Sequence, residues 1–390
     1  MSDASTLVMV RDVRTKSTMS DAFTVGIEEE YFLVDAQTRM VAAQRPEAFF
    51  AAAKAALGPQ VKGEMLQSQI ELTTNPHDDM TKARTELRQL RQAVAATAAE
   101  HGLAILAAGT HPTAVWETSR QTPAERYDAV MHDLQMLGHR NMVCGLHVHI
   151  ELPDGIDRVD VMCRMLPYVP LFIALATSSP FWQSRATGLK GYRLAAYDEL
   201  PRTGLPELFR RTEEFDAYIA ALTRAGIIED SSYVWWTLRP SLQHPTLELR
   251  APDCCTFVDD AIAIAALYRC LARRLCRHPS LNGDMTPVAR AIVVENKWRA
   301  QRYGVTGTFA SLDGSGAISV AEMVERVLDD IEADAEALGC KPHVARCRSI
   351  VGSGTSADAQ IAVFQAHAKN GSRPQALDAV TEWLAAATLQ

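Results

Sequence analysis

Three consecutive carboxylates inside a run that otherwise favours a strand constrain this chain more than any other feature. The run reads Phe23-Thr24-Val25-Gly26-Ile27-Glu28-Glu29-Glu30-Tyr31-Phe32-Leu33-Val34. β-Branched and aromatic residues flank the acids, so the local preference is for extended chain, in which side chains two apart share a face. Glu28 and Glu30 therefore point one way, and Ile27, Glu29 and Tyr31 the other. Two carboxylates so placed stand roughly 6 to 7 Å apart, and each can hold one of two neighbouring divalent cations. An acidic strand that simply faces water is the plainer alternative, because charges usually mark solvated faces. The rest of the chain has to decide.

At 390 residues the chain is larger than a typical domain yet within reach of one large enzyme fold, and a hydrophobic content of 47% supplies a core to match. A net charge of -8 argues against a general nucleic-acid or anionic-membrane surface, so any polyanion must bind at a local basic cluster. The eight cysteines show no CxxC spacing and fall mostly in apolar or helical patterns, as buried free thiols do. The adjacent pair Cys254-Cys255 matches no recognised redox framework. Residues 1–22 mix Arg11, Arg14 and Lys16 with serines and threonines and lack the apolar core of a signal peptide, which reads as a disordered tail on a cytoplasmic protein. Within it Met19-Ser20-Asp21-Ala22 repeats Met1-Ser2-Asp3-Ala4, which makes Met19 a candidate start. The longest apolar run, 165–176, contains Pro167 and Pro170 and is shorter than the roughly 20 residues a span requires, so no transmembrane helix is expected.

A second strand-like run with internal acids covers 64–74, with Glu71 on the face of Gln67 and Gln69, and closes on Asn75-Pro76. Helices are expected over 46–57, stopped by Gly58, and over 79–101, stopped by Gly102, followed by a buried strand over 103–108. Thr122-Pro123-Ala124-Glu125 has the form of a capping box, predicting a helix over 123–137. Next, 143–150 reads as a strand with His147 and His149 on one face; neutral imidazoles at that spacing can ligate a metal, and protonated ones can contact phosphate. After an apolar helix over 157–177 comes a loop dense in aromatics and arginine that ends at Arg193, the kind of segment that carries binding groups. Two strands over 235–241 and 245–251 put Glu248 and Arg250 on one face. Amphipathic helices follow over 259–277 and 286–302, the latter bearing the basic group Lys297, Arg299 and Arg302, whose plainer reading is a solvated helix face. From residue 320 onward the pattern is helical.

Five of these segments in this order, Gly26-Ile27-Glu28-Glu29-Glu30, the run from Glu64 to Glu71, Gly145-Leu146-His147-Val148-His149, Thr246-Leu247-Glu248-Leu249-Arg250 and the run from Asn296 to Gly304, resemble the glutamate-cysteine ligase type 2 family. The resemblance implies an α+β, glutamine-synthetase-like catalytic fold: a curved, mainly antiparallel sheet whose concave face holds the reactants, with helices on the convex face. Residues 23–390 would form a single catalytic domain, with 318–390 as its helical C-terminal portion. It further implies an ATP-dependent carboxylate-amine ligase joining glutamate to an amine such as cysteine, in a cytoplasmic protein of glutathione biosynthesis and in a homodimer. Carried over by position, Glu28, Glu30, Glu71 and Glu248 are metal ligands for Mg²⁺ or Mn²⁺, with Glu64 in the same acidic ring and facing substrate. His147 lies beside the nucleotide phosphates with His149 on its face, Arg250 steadies the transferred phosphoryl group, and Arg239, Lys297 and Arg299 hold ATP phosphates. Arg193 is the candidate for the substrate α-carboxylate.

Electrostatics supports the same picture. Converging carboxylates about 5 Å apart repel by about 3 kcal/mol per pair at an effective dielectric of about 20, and hard divalent cations, which favour oxygen ligands and share their sites with phosphates, remove that conflict. Two alternatives remain at this level. A metal-dependent hydrolase could use His147 and His149 around zinc, but it leaves the arginines unexplained and wants further histidines, whereas His111, His244 and His278 sit in proline-adjacent loops. A catalytically silent relative could keep the fold without turnover.

Overall fold

Alternation along the first strand sets up the two faces of the sheet on which everything else is arranged. The computed structural model describes residues 23–390; the expected tail over 1–22 and the candidate start at Met19 lie outside the described residues. The strands are β1 (Val25–Asp35), β2 (Val61–Gly63), β3 (Gln69–Thr73), β4 (Leu103–Leu106), β5 (Leu146–Glu151), β6 (Phe181–Trp182), β7 (Arg185–Ala186), β8 (Leu238–Pro240), β9 (Thr246–Leu249), β10 (Thr308–Ala310) and β11 (Ala317–Ser319). Seven of them form one antiparallel sheet in the order β2-β3-β1-β5-β9-β8, with β4 on the far end of β1; β6-β7 and β10-β11 are separate hairpins.

On β1, Val25, Ile27, Glu29 and Tyr31 are buried while Glu28 and Glu30 are half-buried on the opposite face. The buried parity continues through Leu146, Val148 and Ile150 of β5 and Leu247 and Leu249 of β9. The helices Met80–Glu100 and Val258–Arg277 cover this face. The first starts on Asp79, whose side chain accepts from the Thr81 N–H and so satisfies a donor that the helix leaves free. One continuous helical stretch, Arg158–Ala176, is long and apolar enough to cross a membrane, with mean hydropathy 1.6, but 83% of its window is buried inside the protein, against Val258–Arg277 and Pro287–Tyr303. All eight cysteines are free and seven are buried.

Glu29, the middle acid of the three, is a structural residue. It is fully buried and forms a two-pronged ion pair with Arg91 at 2.6 and 2.9 Å, with the Tyr31 hydroxyl also donating to it. Arg91 in turn donates to the carbonyls of Cys255, Thr256 and Thr388, so one guanidinium joins the sheet, the long helix, the 252–256 loop and the end of the chain. Five well-placed acceptors around a buried guanidinium are what makes such burial tolerable.

Two local expectations are corrected. The acid-bearing strand expected over 64–74 is only β3; Glu64 to Ser68 form a connection out of β2, in which Gln67 N–H donates to the Arg120 carbonyl instead of sharing the face of Glu71. The capping box at Thr122 does not form. The helix begins only at Glu125, because the Thr122 hydroxyl is committed to the Glu64 carbonyl at 2.6 Å and its N–H to the Met65 carbonyl, and it breaks at Gln135, where φ is +51°. That substitution of partners pins the turn that carries Glu64.

Candidate active site

Register brings the polar faces of six strands into one row. Glu30 lies opposite Glu71, and Glu71 opposite Lys62; on the other side of β1, Glu28 lies opposite His147; His149 lies opposite Glu248, and Glu248 opposite Arg239. These residues, together with Glu64 and Arg250, line a cavity of about 410 Å³. A smaller recess of about 140 Å³ shares Glu30, Glu64, Arg126, Tyr127, Trp235 and Arg250 with it and runs to Arg193.

Two clusters of ligand atoms converge in the cavity. Oxygens of Glu30, Glu64 and Glu71 lie within 4.8 Å of one another, as do atoms of Glu28, His149 and Glu248. The clusters differ in how their charge is balanced. Burial pushes the Glu64 carboxyl up, and the charges of Glu30 and Glu71 push it well above the usual range. Burial and Glu28 likewise raise Glu71, against the opposing pull of Lys62 at 2.8 Å. In the second cluster burial would raise Glu28 too, but His147 at 3.5 Å and His149 at 3.7 Å hold it well below the usual range. Burial would raise Glu248, yet Arg250, Arg239 and the two histidines hold it far down; Arg239 Nε donates to it at 2.6 Å, and Arg250 pairs with its other oxygen. Burial lowers His149, but Glu28 and Glu248 outweigh that and its pKa rises.

The donor set fits divalent cations. Buried His147 Nε2 and His149 Nε2 have no hydrogen-bond partner among the described residues, and His149 Nδ1 is fixed by Thr246 Oγ1 at 3.0 Å, which aims Nε2 at the cluster. Five carboxylates against two imidazoles favour a hard cation such as Mg²⁺ or Mn²⁺ over zinc. His244, on the turn between β8 and β9, does reach the cavity, with its ring 6.3 Å from that of His149, while His111 is buried elsewhere and its Nε2 donates to the Arg39 carbonyl at 3.0 Å.

The structure thus brings together Glu28, Glu30, Glu64, Glu71, His147, His149, Arg239, Glu248 and Arg250. Arg193 borders the smaller recess: one Nη donates to the carbonyls of Arg250, Ala251 and Pro252, and its buried Nε is unpartnered among the described residues. Its guanidinium passes over Gly145, where an added Cβ would collide with Nη2 and force the buried arginine to shift; the same Gly145 N–H donates to Glu30 at 2.5 Å. Lys297 and Arg299 stand apart from both cavities. Lys297 pairs with Asp198, and Arg299 holds Thr308 through its carbonyl and hydroxyl at 2.6 Å. Sequence reasoning missed Lys62, Arg126, Tyr127 and Trp235. Lys62 had a readable signal, since Val61-Lys62-Gly63 directly precedes Glu64, but the other three sit on a loop and a helix whose approach to the sheet has no local signature.

A family model described as glutamate-cysteine ligase family 2 matches residues 24–378. A curated relative from Bradyrhizobium diazoefficiens, provisionally named glutamate–cysteine ligase 2, is 55% identical over 367 residues, covering 94% of this chain and 84% of its own length. Another with the same provisional name, from Rhodospirillum rubrum, is 44% identical over 373 residues, covering 94% and 96%. Among solved structures, a bifunctional glutathione synthetase from Pasteurella multocida superposes with a TM-score of 0.67 at 17% identity, over 95% of this chain and 53% of that one. A glutamate–cysteine ligase from Francisella tularensis, solved with AMP, gives 0.62 at 14% identity, over 93% and 89%. At such identities the structural likeness establishes the fold, which is the expected α+β class. The length of the family match and the identity of these relatives carry the assignment: this chain belongs to the glutamate–cysteine ligase family 2.

Proposed function

We propose that this chain joins the γ-carboxylate of glutamate to the amine of cysteine or a close analogue at the expense of ATP, in the cavity on the polar face of the sheet. The observation that carries this reading is the pair of ligand clusters in one 410 Å³ cavity with two arginines at one end. Phosphoryl transfer needs little from a protein beyond positioning and neutralised charge, and that is what this residue set offers.

In the first step an oxygen of the glutamate γ-carboxylate bonds to the γ-phosphorus of ATP as the bridging bond to ADP breaks. In the second the acceptor nitrogen, having lost a proton, bonds to the acyl carbon and inorganic phosphate leaves with the oxygen it gained. Glu30, Glu64 and Glu71 would hold one Mg²⁺ or Mn²⁺, and Glu28, His149 and Glu248, with His147 alongside, a second, supplying charge neutralisation and oriented phosphate oxygens. Arg250 and Arg239, already extended across Glu248, would meet the charge on the transferred group, as donors aimed at developing charge do. The free Nε of Arg193 suits a substrate carboxylate in the smaller recess, whose walls include Met65, Val130, Leu134 and Trp235 and suit the acceptor's side chain. We assign Lys297 to support of the recess wall, through Asp198 next to Tyr197, and Arg299 to fastening the β10-β11 hairpin through Thr308. A sheet curved around this cavity, with the helices on its convex side, accords with the placement of the row.

The test is release of ADP and phosphate with Mg²⁺ and glutamate, against a panel of amines that includes cysteine. Release that needs glutamate and accelerates with one amine supports the ligase and identifies the acceptor. ATP binding without release across the panel overturns glutamate as the carboxylate substrate. The oxygen-rich ligand set weighs against the hydrolase.

A further inference from the structure

Lys62 occupies a position that neither the sequence motifs nor the expected ligand set accounts for. It lies on the edge strand β2, opposite Glu71, and its ammonium sits 2.8 Å from Glu71 and 3.9 Å from Glu28. It therefore touches one carboxylate of each ligand cluster. Its side chain is 50% exposed and lines the larger cavity, so its head can turn away from the acids into open space.

A divalent ion and this ammonium compete for the same oxygens. An ion ligated about 2.1 Å from the Glu71 oxygen that Lys62 contacts would stand within about 5 Å of the ammonium, with repulsion between two positive charges and no carboxylate left for the lysine. An anion in the cavity changes that balance, because the released ammonium then gains a phosphate partner. On the metal reading given above, we propose that Lys62 is the resident counter-cation of the metal-free site, which yields Glu71 to the divalent ion and turns to the nucleotide phosphates, so that metal and nucleotide bind cooperatively. By linkage, whatever Lys62 does for the affinity of one ligand in the presence of the other it does reciprocally.

The experiment is calorimetric titration of Mn²⁺ into the full chain, with and without the non-hydrolysable analogue adenylyl imidodiphosphate, for wild type, Lys62→Met, Lys62→Arg and Arg126→Gln. Arg126 is the control for net charge: it lines the same cavity but contacts Ser232 Oγ at 3.0 Å and the Tyr233 ring instead of a carboxylate. Lys62→Met is expected to bind Mn²⁺ roughly five-fold more tightly without nucleotide, the scale of one half-exposed ion pair, and to lose most of the gain that the analogue gives wild type. Lys62→Arg should keep wild-type behaviour within about two-fold, which retention of the ion pair predicts. Unchanged or weaker Mn²⁺ binding by Lys62→Met overturns the proposal, as does an equal gain in Arg126→Gln, which would reduce the effect to net charge. Absence of Mn²⁺ binding in every form overturns the metal reading itself.

Discussion

Glu64→Gln should make the metal-free protein more stable while removing its response to metal. The oxygens of Glu30, Glu64 and Glu71 lie within 4.8 Å of one another, and two unit charges at that distance repel by about 3.5 kcal/mol at an effective dielectric of about 20. Glu64 takes part in two such pairs. Protonation limits the penalty: keeping a carboxyl neutral at pH 7.5 costs about 1.4 kcal/mol per unit above its ordinary pKa, about 4 kcal/mol in all. Lys62 offsets part of it through Glu71. Glutamine preserves the shape, can still accept from the backbone, and can donate to Glu71, where the carboxyl now needs a shared proton. The expected gain in EDTA is about 1–3 kcal/mol. Urea denaturation with EDTA and with saturating Mn²⁺ measures both halves. Wild type should gain stability from Mn²⁺ as any specific ligand requires, and the variant should gain little. A variant less stable than wild type in EDTA, or one stabilised by Mn²⁺ to the same extent, would refute the account of these acids as a strained ligand set.

Glu29→Gln should act in the opposite sense, costing about 3–5 kcal/mol by leaving buried Arg91 without its counter-charge, with no gain in EDTA; the same urea assay reads it. Arg250→Ala should lower kcat by about 10²–10³, the usual loss when one donor to developing charge is removed, in an ADP-release assay, with circular dichroism reporting an intact fold. Gly145→Ala should cost about 1–3 kcal/mol from overpacking, since its Cβ would collide with the Arg193 guanidinium, and should raise the KM for glutamate. Metal-free stability should fall as pH rises above about 4.5: Glu64 and Glu71, with raised folded pKa values, bind more protons folded than unfolded through that window, and His149 adds to the fall as pH passes upward from 6.5 through its raised value. Glu28 and Glu248 have depressed values, so their contribution is complete above about 4.5 and lost only in acid. Thermal melts from pH 5 to pH 9 should show the decline in EDTA and its loss in Mn²⁺.

Parity was legible in the sequence because it is local. A period of two assigns Glu28 and Glu30 to one face and Glu29 to the other from the run alone, and the same holds for His147 with His149 and Glu248 with Arg250. Register was not legible, because it joins residues far apart in the chain. That is why His149 emerges as a member of a ligand cluster only once β1, β5 and β9 are side by side, and why Glu64, on the connection ahead of β3, could be put in the acidic ring only through the resemblance. Glu29 shows the same limit from the other side. Its face could be read, but its partner is 62 residues away on a helix in which Arg91 sits among Leu87, Leu90 and Val94, the buried stripe. The basic run around Lys297 and Arg299 could be tied to phosphates only through the resemblance, because Asp198 and Thr308, which the two side chains reach, are invisible to local pattern.

The acids stood out for a physical reason. Local propensity and burial agree almost everywhere along β1, β3, β5 and β9, and a sequence that specifies one fold is expected to agree with itself. Carboxylates on and beside these strands break that agreement, and the conflict is resolved in two ways, one on β1 and the other on and just ahead of β3. Glu29 resolves it inside the chain, with an arginine that never leaves. Glu64 and Glu71 are left with raised pKa values and a half-exposed lysine that can leave. A conflict settled internally marks structure, whereas one held open by a removable counter-charge marks a place for a ligand. On that distinction the middle acid of the three belongs to the fold, while Glu64 and Glu71, grouped with Glu30, mark a place for a ligand.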